Sequence, residues 1–303
     1  QTHRPRSKHI QVPIAQLEGL AEPARRRSVG LAEAIGACSA DLRPLAEALS
    51  AASKPLFVIG CGAAEAGADL ASVLEACGAA CFETYAGRGI VPWDYPLNFG
   101  AALARPSSAQ IVAQADCVVA IGTELAEVDL WRAHLGHRCP LYRIDIDPEC
   151  LADMQRAEVA ILARAEEAMS SLRSLMAESP SQWQAGSVAE QRELWRGEIE
   201  AERPGIIAIV EALHAVMPDE AMIYSDMTQF AYVANEIWPM TRAKHWHHPS
   251  GFGTLGYALP AAIGGAVARA GKPTLAIAGD YGFQYSVQEL GTAVELCQPL
   301  PII

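Results

Sequence analysis

The sequence predicts an α/β protein, in which a doubly wound parallel sheet is followed by a second, partial α/β unit. Three observations carry this. Runs that are apolar throughout, such as Pro55-Leu-Phe-Val-Ile-Gly60 and Asp116-Cys-Val-Val-Ala-Ile121, have the length and continuity of strands buried on both faces. Helix-length stretches separate them. The alternation breaks at Ser179-Pro-Ser181 and resumes at Ala221-Met-Ile-Tyr-Ser225, and 303 residues suffice for two cores.

Taken in order, Lys8-His-Ile-Gln-Val-Pro-Ile14 alternates polar and apolar residues and reads as a lone strand. Residues 15–40, with Pro23 and three consecutive arginines, read as a linker, so 1–40 is assigned to the end of a preceding domain. Helix 41–52 leads to strand 55–60, helix 63–77 to strand 80–83, and helix 107–114 to strand 116–121. Strand 140–146, a short segment at 159–162 and helix 165–176 complete the first unit, assigned to 41–180. A polar helical region (182–202) and helix 205–216 open the second unit, assigned to 181–303. Its strands are 221–225 and 274–278, and Ile302-Ile303 begins another.

A formal charge of -12 excludes nucleic acid and anionic membrane as partners. No apolar run is long enough to span a bilayer. The eight cysteines form no Cys-x-x-Cys pair and read as reduced core thiols of a cytoplasmic protein.

Several segments carry chemistry. Gly60-Cys-Gly62 follows a strand as a dinucleotide fingerprint does, with Glu83 placed to meet a ribose, but position 65 is Glu where a third glycine belongs. A tight strand-to-helix turn is the simpler reading. Asp145 and Asp147 flank a strand end, and Asp147-Pro148 has the form of a helix cap. His245, His247 and His248 suit the lining of a polar cleft better than zinc, since no cysteine or acid pair completes the set. Asp226-Met-Thr-Gln229 follows a strand and opens a helix, where Thr228 and Gln229 present donors at its positive end. Gly279-Asp280-Tyr-Gly282 ends a second parallel strand with a carboxylate in a glycine turn, where a metal-bound phosphate sits. Gly251-Phe-Gly-Thr-Leu-Gly256 punctuates the turn before the small-residue helix 257–266.

Together these segments resemble thiamine diphosphate-dependent enzymes of the acetolactate synthase type. Gly279-Asp280 is similar to the start of that family's metal-diphosphate signature, and 251–262 to the segment that grips the cofactor's pyrimidine end. Lys54–Gly60 and Tyr142–Pro148 are similar to the family's middle domain in order and spacing. The resemblance implies thiamine diphosphate and Mg²⁺ as cofactors, with Asp280 the metal ligand. It places the diphosphate on Thr228, Gln229, Phe230, Gly279, Tyr281 and Gly282, and the pyrimidine on Gly253, Thr254 and Leu255. Leu255 is implied as the catalytic wedge that folds the cofactor's two rings together.

The activity implied is decarboxylation of a 2-oxo acid, and the Asp226–Gln229 and Gly279–Phe283 variants resemble decarboxylases of guanidino-type 2-oxo acids. Carboligation by an acetolactate synthase catalytic subunit is the alternative, and a non-catalytic nucleotide-binding module at 60–67 the second. The family pattern departs at Tyr281, where a glycine is common, and its second metal ligand, an Asn, falls beyond Ile303. The family's glutamate belongs to a preceding domain and acts across a dimer interface. The chain is therefore read as a fragment of a homodimer or homotetramer, inactive alone. FAD is not expected, because the loop 101–108 is short and the turn 122–129 holds three acids.

Overall fold

The computed structural model describes residues 11–17, 19 and 39–303. Strands β1 (Pro55–Ile59), β2 (Ala80–Glu83), β3 (Cys117–Ile121), β4 (Leu141–Asp145) and β5 (Val159–Leu162) form a parallel sheet in the order β2-β1-β3-β4-β5. Every residue of β1 to β4 is buried, as expected for strands covered on both faces. Helices Ser39–Ala51, Gly67–Cys77 and Ala165–Leu175 cover one face with Leu45, Leu70 and Leu172. On the other, Phe82 stacks on Phe99 at 4.9 Å, and Trp195 meets Phe99 edge-on at 6.0 Å.

A second parallel sheet, β7-β6-β8, is built from β6 (Met222–Ser225), β7 (Trp246–His247) and β8 (Thr274–Ile277). Ile302 adds a parallel bridge to Ala276, where the sequence placed the next strand. Ile223, Leu275 and Ile277 pack with Trp238 and Trp246, whose rings meet edge-on at 5.2 Å. Helix Ala185–Glu202 joins the two cores, burying Val188 and Trp195 in the first and Ile199 in the second.

Two buried arginines add polar ties. Arg105 donates to Glu236 and Glu202, each at 2.6 Å. Arg88 donates to the carbonyl of Ala234 at 3.2 Å and to Asn235 Oδ1 at 2.7 Å, and lies 4.9 Å from the Trp246 ring centre.

The element reading holds with shifts of a residue or two, and with specific corrections. Of the lone strand expected at 8–14, residues 8–10 lie outside the described residues. Residues 11–13 are irregular, and Ile14–Leu17 is a helical turn. Most of the expected linker also lies outside the described residues. The segment 159–162 is the edge strand β5. The helix expected from 63 begins as a 3₁₀ turn at Cys61–Ala66, then continues as Gly67–Cys77. Cys61 and Cys297 are exposed instead of core thiols, because each sits in a turn and not in an apolar run.

Candidate functional site

Because β6 and β8 are adjacent and parallel, the turns that follow them leave the same edge of the sheet. They touch. A Cβ on Gly279 would lie 3.4 Å from Thr228 Cγ2, and one on Gly282 would lie 2.2 Å from Asp226 Oδ2. The turn 251–256 joins them: a Cβ on Gly253 would lie 3.5 Å from Met227 Cε. The residues singled out at 226–230, 251–256 and 279–282 therefore line one crevice.

Asp226 is at its centre. Thr228 is the cap of helix Gln229–Ile237, with its Oγ1 accepting from Ala231 N. Asp226, 1% exposed, reaches across instead. Its carboxylate accepts from the N–H groups of Gly256 at 3.1 Å, Tyr257 at 2.8 Å and Ala258 at 2.9 Å. It thus caps helix Ala258–Ala268 from a neighbouring strand. Gly256 permits this by its φ of 83°, which a side chain would resist, and a Cβ there would also meet Tyr285 Cβ at 2.9 Å.

The other candidates take distinct positions. Helix Asp280–Ser286 starts at Gly279 without a side-chain cap, and its first i→i−4 bond is Phe283 N to Gly279 O at 2.8 Å. The N–H groups of Asp280, Tyr281 and Gly282 thus precede any intrahelical acceptor. Asp280 and Tyr281 are exposed, as are Thr254 and Leu255, the last 42% exposed although aliphatic. Two expected donors point elsewhere. Gln229 Oε1 accepts from Arg203 Nε at 2.6 Å, and the Phe230 ring packs against the second core, while their backbone N–H groups open the helix and have no acceptor within it.

The histidines do not gather as a metal site, and no group of three or more His, Cys, Asp or Glu among the described residues could hold one. His245 Nδ1 lies 2.9 Å from the carbonyl of Ala243, and His247 stacks on Tyr224 at 4.9 Å. His248 Nδ1 lies 2.9 Å from Ser225 Oγ, which also accepts from Trp246 Nε1 at 2.8 Å. Burial, with the Arg88 guanidinium second, lowers His248 from 6.5 to about 4, so it is neutral at physiological pH.

A second cleft, of about 280 Å³, lies where β1, β3 and β4 end. The strand order reverses there between β1 and β3, the usual ligand position in such sheets. The glycines of its β1 turn are already engaged. Gly62 N donates to Gly122 O at 3.0 Å, and a Cβ on Gly60 would lie 2.2 Å from that same oxygen. Glu83 is not in this cleft. It accepts from Val91 N and Asn98 Nδ2, each at 3.2 Å, and burial raises it to about 7. The cleft is lined by Glu124, Asp129 and Asp145 without a lysine or arginine, and burial raises Asp129 to about 6. This surroundings suits a diphosphate poorly. Asp147, as expected, caps helix Pro148–Leu151.

Family profiles match both halves of this geometry. The central domain of thiamine pyrophosphate enzymes matches residues 42–172, and the C-terminal thiamine pyrophosphate-binding domain matches 226–303. The chain belongs to the thiamine pyrophosphate enzymes. It is 38% identical to the Pseudomonas aeruginosa protein named "probable 2-ketoarginine decarboxylase AruI", over 100% of this chain and 55% of that one. It is 27% identical to the Escherichia coli acetolactate synthase isozyme 1 large subunit, over 84% of this chain and 46% of that one. A solved Mycobacterium smegmatis chain, assigned as a thiamin diphosphate-dependent enzyme, shares the fold with a TM-score of 0.70 at 24% identity, covering 93% of this chain and 55% of that one. The chain thus spans about half the length of the relatives it matches.

Proposed function

We propose that the crevice at the ends of β6, β7 and β8 holds thiamine diphosphate with Mg²⁺, and that the full-length protein decarboxylates a 2-oxo acid. The observation that carries this is the convergence of two glycine turns, 251–256 and 279–282, on the 226–230 turn that bears Asp226 and Thr228. The residues fit the group. Backbone N–H groups of 229–230 and 280–282 and the Thr228 hydroxyl would hold the diphosphate. Asp280 would ligate Mg²⁺, a single carboxylate beside phosphate oxygens being a usual arrangement for that ion. Gly253, Thr254 and the projecting Leu255 would orient the pyrimidine and keep the two rings folded. When bound, thiamine diphosphate supplies an electron sink for the carbanion left by decarboxylation.

The 38% identity to the protein named 2-ketoarginine decarboxylase favours a guanidino-bearing 2-oxo acid as substrate. The acetolactate synthase relatives favour carboligation as the second reading, and product analysis separates an aldehyde from a hydroxy-oxo acid. Residues 41–180 and 181–303 would act as the two domains of a cytoplasmic homo-oligomer. No helix among the described residues is long and apolar enough to cross a membrane. Exposed Phe252, Leu255, Tyr281 and Tyr285 beside the crevice support a second copy closing the site.

The test is calorimetric titration of the full-length protein with thiamine diphosphate and Mg²⁺. Asp280→Ala is expected to weaken Mg²⁺-dependent binding at least about tenfold, the scale of one charge-assisted contact. Equal binding by both proteins would sink the metal assignment.

A further inference from the structure

We infer that Asp226 is a positioning residue of this site, holding Leu255 at its height over the crevice and fixing the distance between the 251–256 and 279–282 turns. The inference rests on reading the crevice as the thiamine diphosphate site, and it adds a residue that would not itself touch the cofactor.

An ordinary cap satisfies the start of its own helix from the preceding residue. Asp226 directly follows β6 and satisfies a helix about thirty positions later, through three N–H groups in succession. The first belongs to Gly256, the residue directly after Leu255, so the bond ends the turn at one defined place. Its other neighbour is fixed from the opposite side. Gly282 lies so close to Oδ2 that a Cβ would be 2.2 Å away, so the 279–282 turn rests on the same carboxylate. Gly256 and Tyr285 close the third side, where a Cβ would lie 2.9 Å from Tyr285 Cβ. One buried carboxylate therefore sets the register of both turns.

The charge also explains the residue type. A carboxylate 1% exposed beside an anion site is costly unless its charge is satisfied, and three N–H donors satisfy it. Asparagine keeps the shape but turns a donor toward one set of these N–H groups. Positioning should therefore suffer while the fold survives.

The experiment uses the full-length protein as wild type, Asp226→Asn, Leu255→Ala and the double variant. Three readouts are taken: thermal unfolding without cofactor, calorimetric thiamine diphosphate affinity in Mg²⁺, and hydrogen exchange of the 251–262 amides without cofactor. Asp226→Asn is expected to keep its unfolding temperature within a few degrees, to lose amide protection at 256–258, and to bind cofactor about tenfold more weakly. Leu255→Ala should cost less in the Asp226→Asn background than in the wild type, since the wedge is already misplaced. Strictly additive losses, or an Asp226→Asn protein with wild-type affinity, overturn the inference. If Asp226→Asn does not fold, Asp226→Glu is used in its place, because it keeps the charge while its longer side chain shifts the carboxylate from the 256–258 amides. A wild type that binds no cofactor defeats the functional reading alone, and the exchange measurement then decides whether Asp226 holds the turn.

Discussion

Glycines end β1 and β8 alike, and the two turns use them in opposite ways. After β1, Gly60 and Gly62 let the backbone lie against Gly122, whose carbonyl takes the Gly62 N–H. After β8, Gly279 and Gly282 bring the turn against the side chains of Thr228 and Asp226, and the first-turn N–H groups of 280–282 have no acceptor within the helix. The first turn is closed on itself and its cleft is acidic. The second leaves its donors without a helical acceptor. A glycine pair after a strand thus reports close approach, and what approaches must be read from the fold.

The largest effect expected tests this difference directly. Gly60→Ala sets a methyl 2.2 Å from a backbone oxygen that cannot rotate away, so it should destabilise the first unit by about 3 kcal/mol. Urea unfolding with the full-length protein measures it. A neutral Gly60→Ala would show that the turn has room, and would reopen the cleft as a phosphate site.

Much of the fold was legible because both-face burial writes itself as unbroken apolar runs, as at 55–59 and 117–121. β7 was legible only as a short extended stretch, since it is two residues long and lies within His245-Trp-His-His248. Position on strand ends brought Thr228, Gly253, Gly279 and Gly282 together as the motifs implied. The side chains of Gln229 and Phe230 escaped, because only tertiary structure shows that Arg203 and the second core claim them. Asp226 was seen only as part of its segment, and its role was not legible for the same reason: its partners lie thirty positions ahead, where local spacing does not reach. Arg88 carried no signal at all in a loop of polar and glycine residues.

The two regions should also respond to pH with opposite sign. Glu83 in the first rises from 4.5 to about 7 on burial, so its contribution is intact below 4.5 and lost as pH climbs to 7, by about 3 kcal/mol. His248 in the second falls from 6.5 to about 4, so stability drops as pH decreases from 6.5 to 4, also by about 3 kcal/mol at most. The two effects oppose each other between about pH 4 and 7, so Glu83→Gln should leave a stability that rises with pH across that range and His248→Asn one that falls. A variant that leaves the slope there unchanged removes its group from the explanation.

The smallest expected change in stability belongs to Gly279→Ala. Gly279 has φ −81° and ψ 173°, a conformation that alanine adopts freely. Its methyl would meet only Thr228 Cγ2 at 3.4 Å, and the lost backbone freedom of the unfolded chain offsets that contact. The variant should therefore unfold within about 0.5 kcal/mol of the wild type. Its cofactor affinity should still fall, because the methyl occupies the side of the crevice shared by Thr228 and the 280–282 amides. Unfolding and calorimetry on the same preparation decide it. Stability lost with affinity kept would mean that the second turn, like the first, is closed on itself.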